Sequence, residues 1–428
     1  MTSPKTSFVH VPVEKLQIGF FVDLELPWTD HPFLFRRFRI KTEDEIRVIR
    51  KLLSGKIKVY PKKSLIAKGF ELAAEAKTSK LEEPARETES ENALWEDKRA
   101  HIDQAKAFRE ERRKLLREYK QTAQRVRRFT NELSTAPANA IRDAESVVND
   151  MAVCFEQGES VLMNLINLAD DSFSTYAHSL NVTVLSLALG RSLQLGAEEL
   201  RLLAMGALLH DIGQVTLPKQ LLIQKQPLNA GEQKVYETHA IQGGKLARNV
   251  GTLDDAVIVI IEQHHELLDG SGYPNGLKGE KIERLARIVS IANTYDNLCN
   301  PRDPARALPP KLAMAYLYRN YNHKLDSELL AHFIKSMGVY PPGTVVKLSD
   351  GSIGLVTTVN PDHLLKPEVL IYNPDIPKNE AVCLNLMERD DIAVEDTLKP
   401  DEYPKRIYDY LGIHERVGYF YSKAGGRA

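Results

Sequence analysis

Only three cysteines occur in the 428 residues, Cys154, Cys299 and Cys383, and none forms a CxxC pair. That excludes a disulfide framework or a thiolate zinc site as the organising chemistry, and all three are expected to be reduced and structural. A charge excess is missing as well: 57 lysines plus arginines face 58 aspartates plus glutamates, leaving a net charge of -1. Without a global field there is no pull on a nucleic-acid polymer, and a small ligand or a protein partner fits better. No stretch approaches the roughly 18 apolar residues needed to span a bilayer. Lys5, His10, Glu14 and Lys15 interrupt the N-terminal positions where a secretory signal would lie. A cytoplasmic protein is expected. A receiver domain, a Gly-rich P-loop and a Rossmann fingerprint are also lacking, so phosphotransfer input and nucleotide-cofactor chemistry have no support.

What is present reads as a globular chain of two or three structural units, with 43% hydrophobic and 27% charged residues. From Val9 to Tyr60, short apolar runs alternate with turn residues around one helical stretch, Glu43 to Leu53, which predicts a small α/β module over residues 1–76. Lys77 to Glu91 have the composition of a solvated linker. Beyond it, Ile102, Ala105, Phe108, Leu115, Tyr119, Thr122, Val126, Phe129 and Leu133 recur at three- and four-residue steps, predicting a long amphipathic helix that completes a segment over 77–139. Its apolar stripe needs a partner surface, either a second copy of the chain or another part of this one. Its charges read as a solvated face aligned with the helix dipole. Helical periodicity dominates residues 140–337, and strands around an Asp350-Gly351 turn open a small C-terminal β appendix and tail over 338–428. The fold class expected is mainly α.

Five of the 12 histidines, His178, His210, His239, His264 and His265, stand in organised settings. Histidine and carboxylate are the ligands of first-row metals where thiolates are absent, leaving zinc, iron, manganese and nickel open. The apolar run Ala204 to Leu209 leads into His210-Asp211, and Val257 to Ile261 leads towards His264-His265. At a helix end the loosened backbone can aim two adjacent side chains at one ion. After the histidine pair, the stretch from Glu266 to Gly279 is rich in glycine, allowing close backbone approach, while Tyr273 offers a flat face for a base.

The runs His210-Asp-Ile-Gly213, His264-His-Glu266 and Asp269-Gly-Ser-Gly-Tyr-Pro274, in this order, resemble the HD-GYP family of metal-dependent cyclic di-GMP phosphodiesterases over roughly residues 140 to 375. His-Asp alone would indicate only the broad HD phosphohydrolase superfamily. The stretch Val11 to Tyr60, with Gly19, Pro27-Trp28 and Pro32-Phe33, resembles a small domain of unknown function often fused ahead of such modules. The resemblance implies an all-helical HD-type domain and a metal cluster held by His178, His210, Asp211, His239, His264 and His265, with Asp211 bridging two divalent ions. It places His210 and Asp211 at the catalytic centre, where two metals lower the pKa of a bound water for in-line attack. Asn293 stands where the family has an aspartate as last ligand and is expected to ligate through its carbonyl oxygen with one negative charge fewer, and Gln214 stands where the family has a phosphate-contacting lysine. Ser174, with Asp170 and Asp171 before it, replaces a glutamate used for a third ion, which favours two metals. Asp296 reads as a supporting residue, Arg302 and Tyr273 as substrate contacts, and Arg306 as a companion of Arg302. The expected reaction opens cyclic di-GMP to pGpG, with further cleavage to GMP left open. Gln214 and Asn293 motivate a binding-only alternative, a cyclic di-GMP sensor or docking module. An HD phosphohydrolase acting on another nucleotide is the remaining alternative. Expected partners are cyclic di-GMP, a second copy through the helix around 91–133, and a protein such as a diguanylate cyclase at the loop 269–274.

Overall fold

Short runs of alternating apolar residues pair into a sheet at the start of the chain, and longer runs at helical spacing build the rest. The computed structural model describes all residues except 1–7, 66–83, 134, 158–160, 169–173, 225, 360–362, 379–380, 390–391, 400–401, 414–415 and 424–428. The chain is mainly helical and divides into two units. One comprises Met1–Glu110 with Leu348–Ile353 and Ile371–Cys383, and the other comprises the remainder.

In the first unit, strands β1 (Val9–Pro12), β2 (Phe21–Asp23), β3 (Arg37–Arg39) and β4 (Lys56–Val59) form a sheet in the order β1-β4-β2-β3. Helix α1 (Glu43–Leu52) starts at a capping box, in which Thr42 accepts from the Glu45 backbone and the Glu45 carboxylate returns to the Thr42 backbone. Ile46, Val48 and Ile49 share a core with Val11, Phe20, Val22 and Ile57. Helix α2 (Pro84–Glu132) begins in this unit, where Leu94 packs on the same core. Lys98 is buried, donates to the carbonyl oxygens of Trp28 and His31, and lies 4.4 and 5.2 Å from the Trp28 and Trp95 rings. The solvated linker expected over Lys77–Glu91 is helical from Pro84 onward, while 77–83 lie outside the described residues. Proline at the first helical position followed by glutamates satisfies helix initiation as well as solvation.

In the second unit, Leu115, Tyr119, Ala123, Val126 and Phe129 of α2, with Leu133 just beyond its end, are buried with Ile141, Ala144, Val148 and Met151 of α3 (Pro137–Gln157). The later half of the stripe, from Leu115 on, thus packs within the chain, while the side chains of Ala105 and Phe108 lie outside the described residues. Basic residues of α2 pair with acids of α3, Arg125 with Asp150 at 3.0 Å and Arg128 with Asp143 at 2.7 Å. Strand β5 (Val161–Leu168) follows, then helices α4 (Ser174–Ser192), α5 (Ala197–Leu209), α6 (Lys219–Ile223), α7 (Ala230–Val250), α8 (Asp255–Gln263), α9 (Arg284–Cys299), α10 (Pro310–Tyr321) and α11 (Ser327–Met337). Strands β6 (Val345–Leu348), β7 (Ile353–Val359), β8 (Glu368–Tyr372), β9 (Cys383–Asn385) and β10 (Val394–Thr397), helix α12 (Lys405–Leu411) and strand β11 (Arg416–Lys423) complete the chain.

β5 departs from the helical reading of 140–337. It pairs antiparallel with β11, from Val161 opposite Lys423 to Leu168 opposite Arg416, and joins a sheet path β10-β6-β7-β5-β11. A short continuous apolar run has the same appearance whether it becomes a buried strand or a buried helix, and here the partner strand decides. The tail consequently enters the core: Tyr419 is fully buried, its backbone N–H donates to Asn181 at 3.0 Å, and its hydroxyl meets that of Tyr295 at 3.2 Å. Cys299 is buried in a free thiol form, Cys383 is half-buried, and the Cys154 side chain is outside the described residues. No helix among the described residues is long and apolar enough to cross a membrane.

Candidate metal centre

The last two turns of α5, Leu203 to Leu209, are buried throughout, so the helix carries its C-cap His210 into the interior. His264 ends α8 in the same way, His239 lies in the middle of α7, and His178 lies near the start of α4. In three of these four, Nδ1 donates to the carbonyl three residues earlier: His210 to Ala207 at 2.7 Å, His239 to Tyr236 at 2.7 Å and His264 to Ile261 at 2.8 Å. In the fourth, His178 Nδ1 meets Asp296 at 2.6 Å. A ring whose Nδ1 carries the proton leaves its Nε2 lone pair free for a cation.

These lone pairs converge on Asp211. Its Oδ2 lies 3.5 Å from His210 Nε2 and 3.8 Å from His178 Nε2, while its Oδ1 lies 3.2 Å from His239 Nε2 and 3.9 Å from His264 Nε2. The ligand atoms form two groups that share this aspartate: His178, His210 and Asp211 on one side, and Asp211, His239, His264 and His265 on the other. Within each group two Nε2 atoms stand 3.3 Å apart, His178 against His210 and His239 against His264. Neutral imidazoles with both Nδ1 protons committed cannot bond to each other across that gap. Asp211 Oδ1 is buried without a hydrogen-bond donor. A buried carboxylate oxygen facing unprotonated ring nitrogens costs free energy unless a cation sits among them. The residues therefore fit a divalent metal.

The electrostatics agree. Burial lowers the pKa of His210 to about 4 and holds His264 and His265 well below the ordinary imidazole value. Burial is the largest influence on His178 and opposes its charge, but the bond to Asp296, the charges of Asp296 and Asp211 and a bond to Asn293 together outweigh it and raise its pKa. Burial alone would raise the Asp211 pKa, yet the surrounding histidines, His210 foremost, keep it well below the usual carboxylate value. At neutral pH His210, His264 and His265 therefore present lone pairs, and Asp211 a negative charge.

Asp296 is fully buried and also accepts from Asn181 at 2.8 Å and Asn300 at 2.9 Å, so it fixes the His178 ring in a supporting role. Asn293 is buried beside His178, and its carbonyl oxygen accepts from Asn297 at 2.7 Å. Asp170 and Asp171, and the side chain of Ser174, lie outside the described residues. Arg306 is exposed and pairs with Asp303, away from Arg302, which lies over the Tyr236 ring.

The loop after the histidine pair is held by a residue that the sequence reading quoted without assigning it a role. Glu266 is buried and accepts from the backbone N–H of Asn275 at 2.7 Å and of Leu277 at 2.8 Å. Gly272 lies against the same turn, where a Cβ would come within 2.4 Å of the His265 carbonyl oxygen. The Tyr273 ring stacks on His265 with centroids 4.4 Å apart and planes at 25°, so one of its faces is occupied and only the other is left for a base. Replacing Glu266 by glutamine leaves one of the two N–H groups facing an amide, at a cost of about 1–3 kcal/mol. Amide exchange across 269–277 is expected to accelerate while that of α5 is unchanged, as hydrogen-exchange mass spectrometry would measure.

Gln214 and Arg302 meet at Tyr236, a residue missed in the sequence. The Gln214 amide donates to the Tyr236 hydroxyl at 3.3 Å, and the Arg302 guanidinium lies 4.3 Å from the centre of its ring. A lone tyrosine on a helix carries no local signal, and only its i,i+3 relation to His239 hinted at a shared face.

Residues 160–329 match the HD domain family, and residues 9–144 match a domain of unknown function, DUF3391. Among curated proteins, the chain is 26% identical over 378 residues to cyclic di-GMP phosphodiesterase PA4108 of Pseudomonas aeruginosa, an alignment covering 85% of this chain and 84% of that one. It is 37% identical over 137 residues to the cyclic di-GMP phosphodiesterase response regulator RpfG of Xanthomonas campestris, covering 31% and 36%. It is 29% identical over 167 residues to a 3'3'-cGAMP-specific phosphodiesterase, number 3, of Vibrio cholerae, covering 39% and 36%. Residues 160–329 are thus an HD domain that carries His-Asp and Gly-Tyr-Pro motifs like those of the HD-GYP branch, and a DUF3391 domain precedes it.

Proposed function

We propose that this protein is a metal-dependent phosphodiesterase that hydrolyses cyclic di-GMP to pGpG. The observation that carries the reading is the division of Asp211 between two sets of histidines, one facing each carboxylate oxygen. His178, His210 and Asp211 would hold one divalent ion, and Asp211, His239, His264 and His265 the other. Such ions polarise a phosphoryl oxygen and lower the pKa of bound water. The chain's own part is to keep the rings in the metal-binding tautomer, to fix their aim through the three backbone carbonyls and Asp296, and to place Tyr273, Gln214 and Arg302 at the rim. The relative aligned along most of both chains is the one named for cyclic di-GMP, which supports that substrate over 3'3'-cGAMP.

Elemental analysis of anaerobically purified protein, coupled to chromatography of digests of cyclic di-GMP and 3'3'-cGAMP, tests the proposal. About two transition-metal ions per chain and release of pGpG are expected. Preference for 3'3'-cGAMP would overturn the substrate. Stoichiometric metal without cleavage under any divalent ion would select the binding-only reading, which the engagement of Asn293 with Asn297 favours. Replacing Asn293 by aspartate restores a negative charge beside His178 and is expected to tighten metal retention by roughly tenfold, read by competition with a chelator.

A further inference from the structure

Two polar side chains, Arg302 and Gln214, meet at Tyr236, and neither brings a negative charge. Arg302 lies over the ring, and its Nη1 donates to the Leu221 carbonyl oxygen at 2.9 Å. Among the described residues no carboxylate pairs with Arg302. A guanidinium held by a π face and a carbonyl is oriented but keeps its full charge, whereas an acidic partner would have neutralised it. Gln214 uses one amide hydrogen on the Tyr236 oxygen, and its second remains to donate. The opposite side of the arrangement is the metal centre itself: the Tyr236 ring tilts against His239 at 4.8 Å, and Gln214 sits in the turn that begins at Asp211. Tyr236, Gln214 and Arg302 are each half-buried, so the group forms a rim open to a ligand.

We propose that Tyr236 is a positioning residue that binds Gln214 and Arg302 into one phosphate clamp beside the Asp211 and His239 ligands, a neutral donor and a cation sharing the work of a single lysine. Its ligand is the phosphodiester of the substrate, so the inference rests on the reading above. Because the clamp recognises a phosphate group, inorganic phosphate probes it independently of which cyclic dinucleotide is cleaved.

The test uses the metal-loaded full-length protein and three substitutions, Tyr236→Phe, Tyr236→Leu and Arg302→Ala, with the double variant Tyr236→Leu/Arg302→Ala. Phosphate binding is measured by calorimetry, and KM and kcat are measured with cyclic di-GMP. Tyr236→Leu removes both the ring face and the hydroxyl and is expected to weaken phosphate binding and raise KM by about tenfold, with a smaller effect on kcat. Tyr236→Phe keeps the face and loses only the hydroxyl, so a change of about threefold is expected. The double variant should bind phosphate more weakly than Arg302→Ala by about threefold at most, the part that acts through Gln214, because the part that acts through Arg302 has nothing left to lose. Metal content should match the wild type in all four.

Unchanged phosphate affinity in Tyr236→Leu and Tyr236→Phe overturns the clamp, and so do losses that simply add in the double variant. A Tyr236→Leu protein that loses metal or folding is set aside in favour of Tyr236→Phe, for which the same binding measurement decides. Should the wild type bind phosphate as expected and leave cyclic di-GMP intact, the substrate reading fails while the clamp stands.

Discussion

Asp211→Asn is expected to reduce turnover by at least about a thousandfold, equivalent to roughly 4 kcal/mol of transition-state stabilisation. The substitution keeps the shape of the side chain and removes its charge. One of its two terminal atoms becomes an N–H₂ group, which cannot ligate, so the side facing His178 and His210 or the side facing His239 and His264 loses its oxygen. Metal content should fall with turnover. The metal-free variant should nevertheless melt no lower than the metal-free wild type, because a buried carboxylate oxygen without a donor is replaced by a neutral group. Metal should raise the melting temperature of the wild type and have little effect on the variant, since only a form that binds is stabilised. Elemental analysis, calorimetric melting with and without metal, and initial rates read these three quantities. Full metal occupancy with activity within tenfold of the wild type would mean that the imidazoles hold the ions without Asp211.

Gly213→Ala is expected to have the largest effect on the fold of the site while adding only one methyl group. A Cβ at Gly213 would lie 1.9 Å from the carbonyl oxygen of His239 and 2.5 Å from the backbone nitrogen of Gly243, and neither obstacle is a side chain that can swing aside. The turn after Asp211 must therefore separate from α7, and the movement is passed directly to His239. Forced separation of packed backbone costs about 3 kcal/mol, at the upper end for overpacked cores. For a unit of this size that corresponds to a fall of roughly 5 °C in melting temperature. Loss of metal should accompany it, because His239 and Asp211 sit on the two backbones that are pushed apart. A variant that melts as the wild type does and retains its metal would show that the close approach of this turn to α7 is not required. Gly251 offers a control: it caps the end of α7, and a Cβ there meets nothing within 4 Å. Its left-handed backbone carries only the local strain of an added side chain.

Much of the site could be read from residue types. Histidines at the ends of apolar helical runs were candidates because only a metal or a specific bond justifies such groups in an interior, and the structure gathers His178, His210, Asp211, His239, His264 and His265 into shared ligand groups. Gln214, Tyr273 and Arg302 also lie around that centre, although Tyr273 spends one face on His265. Other features left no local trace. The eight residues of β5, apolar but for Asn164 and Asn167, do not announce whether they will form a helix or a strand, and β11 supplies that answer from the far end of the chain. The helix start at Pro84 was hidden in a linker-like composition, since lysine and glutamate serve solvation and helix formation equally well. Tyr236 and Glu266 matter only through partners brought in by folding, the guanidinium of Arg302 and the turn at Asn275 and Leu277.

The amino-acid sequence by itself determined the chemistry available: imidazoles and a carboxylate in place of thiolates, a glycine wherever two backbones must touch, and helical runs that end where polar groups are needed. Periodicity and composition encode such choices because each depends on a residue and its near neighbours. Tertiary structure alone decided the direction of each lone pair, the assignment of one Asp211 oxygen to each histidine set, and the meeting of Arg302 with Tyr236. Those are distances between atoms remote in the chain, and they exist only once α4, α5, α7, α8 and α9 have packed.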